Sequence, residues 1–597
     1  MSTPSHVNQP SHPCCSATSA ISTTCCAVPK LATKPIRTAH PRPRPCPRVS
    51  AHVPSPVPSP LDGPGAAHGG TLRRPTDTAP APDASTPAYA GRDVHAPPGV
   101  PPAQEGALVP TDVVVVGSGP NGLAAAVTCA RAGLEVVVLE AQPTVGGGSR
   151  TLDLGLADGL VHDICSAVHP MAWASPFLQE FDLGARGVDL ITPEVSYAQP
   201  LDDGEAGIAY RDLARTVEAL GPDGPAWRSL LGPLAARPDV LVGLALGDKR
   251  SIPPHLLPGG VPTALRYALG LVEQGTPLWN RRFRGHVAPA LLAGVMSHAI
   301  HPLPALPAAG AGLLLAALAH AGSGWPLPRG GSQAIVGALR ADLEAHGGTV
   351  RPDHRVTSAG DLPHARCVLF DTAPHTLVRV LGDRLPARTR RALERFRFGD
   401  GAAKVDFVLS GPVPWAHPEV GRAGTVHLGG SQQQVAEAEA HVAAGRHAPR
   451  PTVLLSDPAV VDPGREVGGL RPLWTYAHVP AGSDVDVTEA VTAQVERFAP
   501  GFRDLVVASR CIPAARMVEH DENYVGGDIS AGALDLVQVV ARPTASLDPY
   551  RMAEGVYLCS ASTPPGPGVH GLGGWYAARR ALRQVFDVRH PPRVGPA

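Results

Sequence analysis

The segment from Asp112 to Glu140 constrains this chain more than any other. It opens with a continuous apolar run, Asp112-Val113-Val114-Val115-Val116, as expected of a parallel strand buried on both faces. The turn Gly117-Ser118-Gly119-Pro120-Asn121-Gly122 follows. An Ala-rich stretch, Leu123–Ala132, then reads as a helix that Gly133 ends. Glu135-Val136-Val137-Val138-Leu139-Glu140 reads as a second strand closing on an acid. A lone G-x-G-x-x-G is weak, but strand, helix, second strand and terminal acid together make a βαβ unit that holds a dinucleotide. Gly117 turns the chain out of the strand, Gly119 lets a pyrophosphate come close without a Cβ in the way, and Gly122 brings the helix onto the sheet. Pro120 and Asn121 complete the turn, and the helix start beyond them offers unpaired N–H groups and a positive dipole end to the phosphates. Glu140 stands 18 residues past Gly122, where a carboxylate accepts ribose hydroxyls and repels a 2′-phosphate. FAD or NAD is therefore favoured over NADP.

Bulk properties narrow the field further. A chain of 597 residues accommodates more than one domain and a large core. Lys and Arg (51) balance Asp and Glu (52), and only 4% of residues are aromatic, which argues against a nucleic-acid partner. Of ten cysteines, Cys14, Cys15, Cys25, Cys26 and Cys46 lie in an N-terminal tail. Cys129, Cys165, Cys367, Cys511 and Cys559 are scattered with no C-x-x-C pair, so no metal site and no disulfide framework is expected, and buried thiols in the cytoplasm are. Residues 1–110 are rich in Pro, Ser, Thr and Ala and read as a disordered tail, with an organelle transit peptide as the alternative.

Order is expected from Thr111 onward. Helices are expected at Ser332–His346, Val487–Phe498 and Gly574–Phe586, and strands at Cys367–Asp371, Lys404–Leu409, Thr425–Leu428, Thr452–Leu455, Leu473–His478 and Gly555–Cys559. Frequent Pro and Gly between Pro222 and Pro328 predict short or kinked helices. The most apolar run, Ala308–Ala321, is short for a membrane span and reads as a core helix, with a substrate wall or a membrane-touching face as alternatives. Peripheral membrane contact stays open on this reading.

A second glycine cluster, Val145-Gly146-Gly147-Gly148-Ser149-Arg150-Thr151, follows the ribose acid. Its spacing resembles the GG motif of the FAD-containing amine oxidase and phytoene desaturase superfamily. That pattern carries Arg directly after the paired glycines. Here Gly148 stands in its place, leaving Arg150 either to supply the charge or to be an ordinary loop residue. Three further segments resemble phytoene dehydrogenase-like oxidoreductases: His162–Pro170, Trp325–Gln333 and Tyr557–Gly571. The nearest branch resembles pyridine nucleotide-disulfide oxidoreductase domain-containing protein 2 and its bacterial relatives, over roughly residues 111 to 585.

The resemblance implies an α/β architecture. A discontinuous Rossmann-type FAD-binding domain would be assembled from residues 111–190, 325–400 and 545–590. A mixed-sheet and helical substrate domain would come from 191–324 and 401–544. It also implies that the C-terminal turn returns to the flavin, which adds Gly568, Val569 and His570 to Gly117, Gly119, Pro120, Asn121, Gly122, Glu140, Gly147, Gly148 and Arg150 as cofactor-binding candidates. Whether Ser560 or Ser562 replaces the acid common in that motif stays open. Among His162, His169, His298, His301 and His570, the last is the candidate base, against a structural role bonded to backbone. The expected chemistry is dehydrogenation of an apolar small molecule by FAD. Amine oxidation and a non-catalytic flavoprotein are the rivals, and an aromatic pair facing the flavin would favour the first of these.

Overall fold

A computed structural model describes residues 111–248, 256–279 and 281–596, with the side chains of 256–258 left aside. The tail expected over residues 1–110 lies outside the described residues, as do its five cysteines. The chain weaves between two sheets. Strand β1 (Thr111–Val116), helix α1 (Pro120–Ala130) and strand β2 (Val136–Leu139) open the fold. Strands β3 (Val195–Pro200) and β4 (Ala206–Tyr210) begin the second sheet, followed by helices α2 (Leu256–Gln274) and α3 (Leu306–Ala319). The chain returns through α4 (Gln333–Ala345), β5 (Thr349–Arg351) and β6 (Ala365–Phe370). It leaves again for β7 (Gly401–Leu409), β8 (Val426–Leu428), β9 (Val453–Ser456), β10 (Arg471–Val479), β11 (Val506–Ile512) and the short α5 (Leu536–Val540). It closes with β12 (Arg551–Ala553), β13 (Val556–Leu558) and α6 (Leu572–Val585).

The first sheet has six strands in the order β12-β13-β6-β1-β2-β5, parallel except at β12. Its centre explains the valine run: Val113 and Val115 enter one hydrophobic core, Val114 and Val116 the other. A strand covered on both faces has no solvent side to make polar. The second sheet has seven strands, order β11-β7-β10-β9-β8-β3-β4, antiparallel except where β8 meets β3. One of its faces is aliphatic, with Val405, Phe407, Val426, Val453 and Leu473 in a shared core. The alternate positions carry Lys404, Asp406, His427, Trp474, Tyr476 and His478, all buried.

Two expectations need correction. Helix α1 starts at Pro120 inside the glycine turn rather than at Leu123, because Pro at the first helical position forgoes an N–H that has no helical partner there. The Pro-rich middle holds short helices, such as Pro238–Ala245, but also two longer ones: α2 runs 19 residues through Pro262, and α3 runs 14 with Pro307 in its first turn, where proline is tolerated. Helix α3, which covers most of the apolar Ala308–Ala321 run, is buried on nearly all sides. Among the described residues no helix is long and apolar enough to cross a membrane.

Candidate functional site

The glycine turn is built so tightly that side chains are excluded from it. A Cβ at Gly122 would lie 2.2 Å from the Gly117 carbonyl oxygen, and one at Gly119 would lie 2.6 Å from Oδ2 of Asp371. Gly117 has φ of +98°, which L side chains rarely adopt. Asp371 follows β6, which pairs with β1, and its Oδ2 accepts the Gly122 N–H at 2.8 Å. Thus one of the unpaired amides at the start of α1 is capped from a neighbouring strand. Burial pushes the Asp371 carboxyl up to about 8, with Asp521 and Glu140 adding to the rise and the Gly122 N–H opposing it.

Glu140 is buried at the end of β2 and braces the turn. Oε2 accepts the Ser118 N–H at 2.9 Å and the Ser118 hydroxyl, and Oε1 accepts the Gln142 N–H at 2.9 Å. Oε1 therefore keeps acceptor capacity for a hydroxyl. Pro120 and the buried Asn121 begin α1, and the Asn121 Oδ1 has no partner among the described residues.

Gly147 packs on this turn, where a Cβ would lie 3.0 Å from the Gly119 Cα. At Gly148 a Cβ would lie 2.0 Å from the Tyr524 hydroxyl, so an arginine where the related motif has one requires Tyr524 to move. Arg150 is buried, not an exposed loop residue. Its Nε donates to the Gly147 carbonyl at 2.8 Å, and its guanidinium donates to Thr144 Oγ1 and to the His520 carbonyl at 2.6 Å. It ties the second glycine cluster to segment 520–524. That segment belongs to the site as well: Asn523 Oδ1 accepts the Ala373 N–H at 2.7 Å, and Asp521 and Asn523 line the groove with Gly119, Glu140, Arg150 and Asp371. Sequence reasoning missed Asp371 and residues 520–524. Asp371 ends a legible buried strand, but nothing in the sequence around His520 announces its place.

At the other end of the chain, α6 packs along α1 through glycine. A Cβ at Gly574 would lie 1.7 Å from the Asn121 carbonyl oxygen, and one at Gly573 would lie 2.6 Å from that of Cys559. The two helix starts thus converge, and with them two positive dipole ends. Gly568 and Val569 line the adjoining cavity. His570 is fully buried and is not among the lining residues; its Nδ1 accepts the Leu572 N–H at 3.0 Å, so the ring caps α6. Burial lowers its pKa to about 4. Ser560 lines the cavity, whereas Ser562 is buried and donates to the Ala531 carbonyl at 2.7 Å.

The cavity measures about 770 Å³ and shares Gly119, Asp371, Asp521 and Asn523 with the narrow groove beside Glu140. Its walls are mostly apolar, from Leu271, Leu314, Leu315, Trp325, Leu454 and Trp474 among others. The segments His162–Pro170 and Trp325–Gln333 meet at its edge. Asp163 accepts the Ser332 N–H at 2.8 Å and pairs with Arg465, and His169 Nε2 shares a 2.8 Å hydrogen bond with the Ser332 hydroxyl. His162 contacts the Phe407 carbonyl at 3.2 Å, and His301 is half-buried outside the cavity wall.

His298 does reach the wall. Its Nε2 lies 2.9 Å from Nε2 of the buried His427, and its ring stands edge-on to Trp325. Burial lowers the His298 pKa to about 3, so the pair is neutral at ordinary pH. Trp474 and Tyr476 form an edge-to-face pair on the sheet wall, 5.2 Å between centroids, beside the buried Lys404–Asp406 ion pair.

These residues fit a dinucleotide: a glycine cradle, two helix starts and a buried carboxylate with acceptor capacity left. The enclosed part of the groove is about 70 Å³, well below the ~300 Å³ of ordinary ligand pockets. An adenosine there needs the solvent side of the groove or a shift of segment 520–523.

Comparison with known proteins agrees with this geometry. The NAD(P)-binding Rossmann-like domain family matches residues 115–181. Pyridine nucleotide-disulfide oxidoreductase domain-containing protein 2 of Rattus norvegicus is 24% identical over 563 residues, 80% of this chain and 94% of the relative. An uncharacterized protein of Mycobacterium tuberculosis is 25% identical over 551 residues, 81% and 98% respectively. A limonene dehydrogenase component from Castellaniella defragrans is 32% identical over 109 residues, 18% of this chain and 19% of the relative. Among solved structures, wild-type putrescine oxidase bound to putrescine superposes with a TM-score of 0.50 at 17% identity, covering 80% of this chain and 99% of that one. The fold is therefore one shared with putrescine oxidase, built of a Rossmann-like unit and a mixed sheet.

Proposed function

We propose that this protein is an FAD-dependent oxidoreductase that dehydrogenates an apolar organic small molecule, in the manner of the phytoene desaturase-like dehydrogenases. The oxidoreductase class rests on the dinucleotide-binding match and on relatives named as oxidoreductases and dehydrogenases. The observation that carries the substrate reading is the apolar cavity of about 770 Å³, continuous with the glycine turn and with the Gly568–Val569 turn that precedes α6. When bound, FAD supplies a two-electron acceptor for hydride. Gly117, Gly119 and Gly122 give its phosphates room, Glu140 takes the ribose, and the converging starts of α1 and α6 favour negative charge at the cavity end. The aliphatic wall holds the substrate and excludes water. Buried free thiols at Cys129, Cys367 and Cys559 accord with a cytoplasmic setting.

The Trp474–Tyr476 pair on the cavity wall favours amine oxidation as the second reading, as does the fold shared with putrescine oxidase. One experiment separates them. The purified protein is loaded with FAD, and anaerobic bleaching is followed with apolar alkenes and alcohols and with primary amines. Bleaching by the apolar set alone supports the proposal, and bleaching by amines alone supports the second reading. Full flavin loading with no bleaching by either overturns both.

A further inference from the structure

The face around the cavity mouth reverses the usual pattern of a surface helix. In α2, Tyr267 and Leu271 turn inward: the Tyr267 hydroxyl donates to the Gly310 carbonyl of α3 at 3.2 Å, and Leu271 lines the cavity. The outward positions are Val261, Leu265, Leu269 and Val272, spaced one helical turn apart and each more than half exposed. Arg266 is the one charged side chain exposed among the described side chains of α2. Across the same opening, α5 exposes Leu536, Val537 and Val540, the last two at 72%. Val272 and Leu536 are both exposed and part of the cavity lining, so they mark its mouth. Seven exposed aliphatic residues around one opening exceed the scattered apolar exposure of an ordinary surface.

We infer that this collar docks on the surface of a lipid bilayer, and that the cavity opens into the acyl layer. The charge pattern favours lipid over another protein chain. Arg266 lies beside the stripe, and the exposed Arg281 and Arg284 follow in the turn after α2. Glu273 on α2 pairs with Arg282, and Asp535, which precedes α5, pairs with Arg397. An apolar stripe flanked by arginines suits an anionic interface. A helix lying in that plane places the mouth where an apolar molecule dissolved in lipid enters without crossing water. The contact thus falls to α2 and α5, not to the apolar run Ala308–Ala321, which α3 buries.

Flotation of the full chain with phosphatidylcholine vesicles, with and without phosphatidylglycerol, tests this. The comparison variant is Leu265→Asp with Val537→Asp; both positions are exposed and neither lines the cavity. The wild type floats with the anionic vesicles, and the variant loses about tenfold or more of its partitioning with melting temperature and flavin content unchanged. Equal binding of the two proteins overturns the inference, because another surface then carries the contact. So does absence of wild-type binding. A wild-type dimer that the variant dissociates, with no vesicle binding, assigns the collar to a second copy and equally overturns it. Flavin content is read separately, so a failed flavin assignment is not mistaken for a failed docking surface.

Discussion

The two sheets use their faces differently. The six-stranded sheet is apolar on both sides, and its functional groups sit beyond its strand ends, in backbone turns. The seven-stranded sheet is apolar on one side only. Its other side buries Lys404, Asp406, His427, Trp474, Tyr476 and His478, of which Trp474 and Tyr476 line the cavity. The first sheet offers backbone N–H groups and closeness of approach; the second offers side chains. A site of the first kind fails when a Cβ is added, and one of the second kind when a partner is removed.

The largest expected effect lies on the first side. Gly574→Ala places a Cβ 1.7 Å from the Asn121 carbonyl oxygen, and neither backbone can yield without parting α1 from α6. A loss of more than ~4 kcal/mol is expected, read as collapse of soluble yield or of the denaturation midpoint. Lys404→Met breaks the second side by leaving Asp406 buried without its cation. It is expected to cost about 3–5 kcal/mol, whereas Lys404→Met with Asp406→Leu recovers most of that, measured by denaturant unfolding. Glu140→Gln removes the charge and also turns an amide NH2 onto one of the two backbone N–H groups, of Ser118 or Gln142, that Glu140 accepts. FAD dissociation constants are expected to rise about 10- to 100-fold, read by flavin fluorescence, and the apo melting temperature to fall, because a buried N–H left without an acceptor costs about 1–3 kcal/mol.

Asp371 gives the effect with a pH signature. Its folded pKa of about 8 lies above the ordinary carboxyl value of 3.8. Below about pH 4 both folded and unfolded chains hold the proton, and the shift contributes nothing. Between about pH 4 and 8 the unfolded chain ionises while the folded one does not, so stability falls as pH rises, then levels off. Asp371→Asn removes that slope and raises the apo melting temperature near pH 8. A melting profile with the same slope in both proteins contradicts this account.

The contrast between the sheets also decides what the sequence could reveal. A both-faces-buried strand reads as Val113–Val116, and a turn with no room for Cβ atoms reads as Gly117, Gly119 and Gly122, so the first site is written locally. Strands β7 to β10 were legible from apolar runs, within a residue or three at their ends. Their inward side chains were not, because burial of Lys404, Asp406 and His427 depends on the strands beside them. Arg150 was legible as a basic residue near the second glycine cluster, but its bond to the His520 carbonyl spans 370 residues. Frequent Pro and Gly pointed to short or kinked helices between Pro222 and Pro328, whereas α2 runs 19 residues through Pro262 and packs on α3.

The central claim is that a flavin dinucleotide joins the two sheets, held by the backbone of one and facing the side chains of the other. Its most direct test is the visible spectrum of the purified protein, followed by identification of what acid denaturation releases. The account requires a yellow protein that gives up FAD, one per chain, and a Glu140→Ala variant that purifies pale. A folded wild type that stays colourless after incubation with FAD contradicts it.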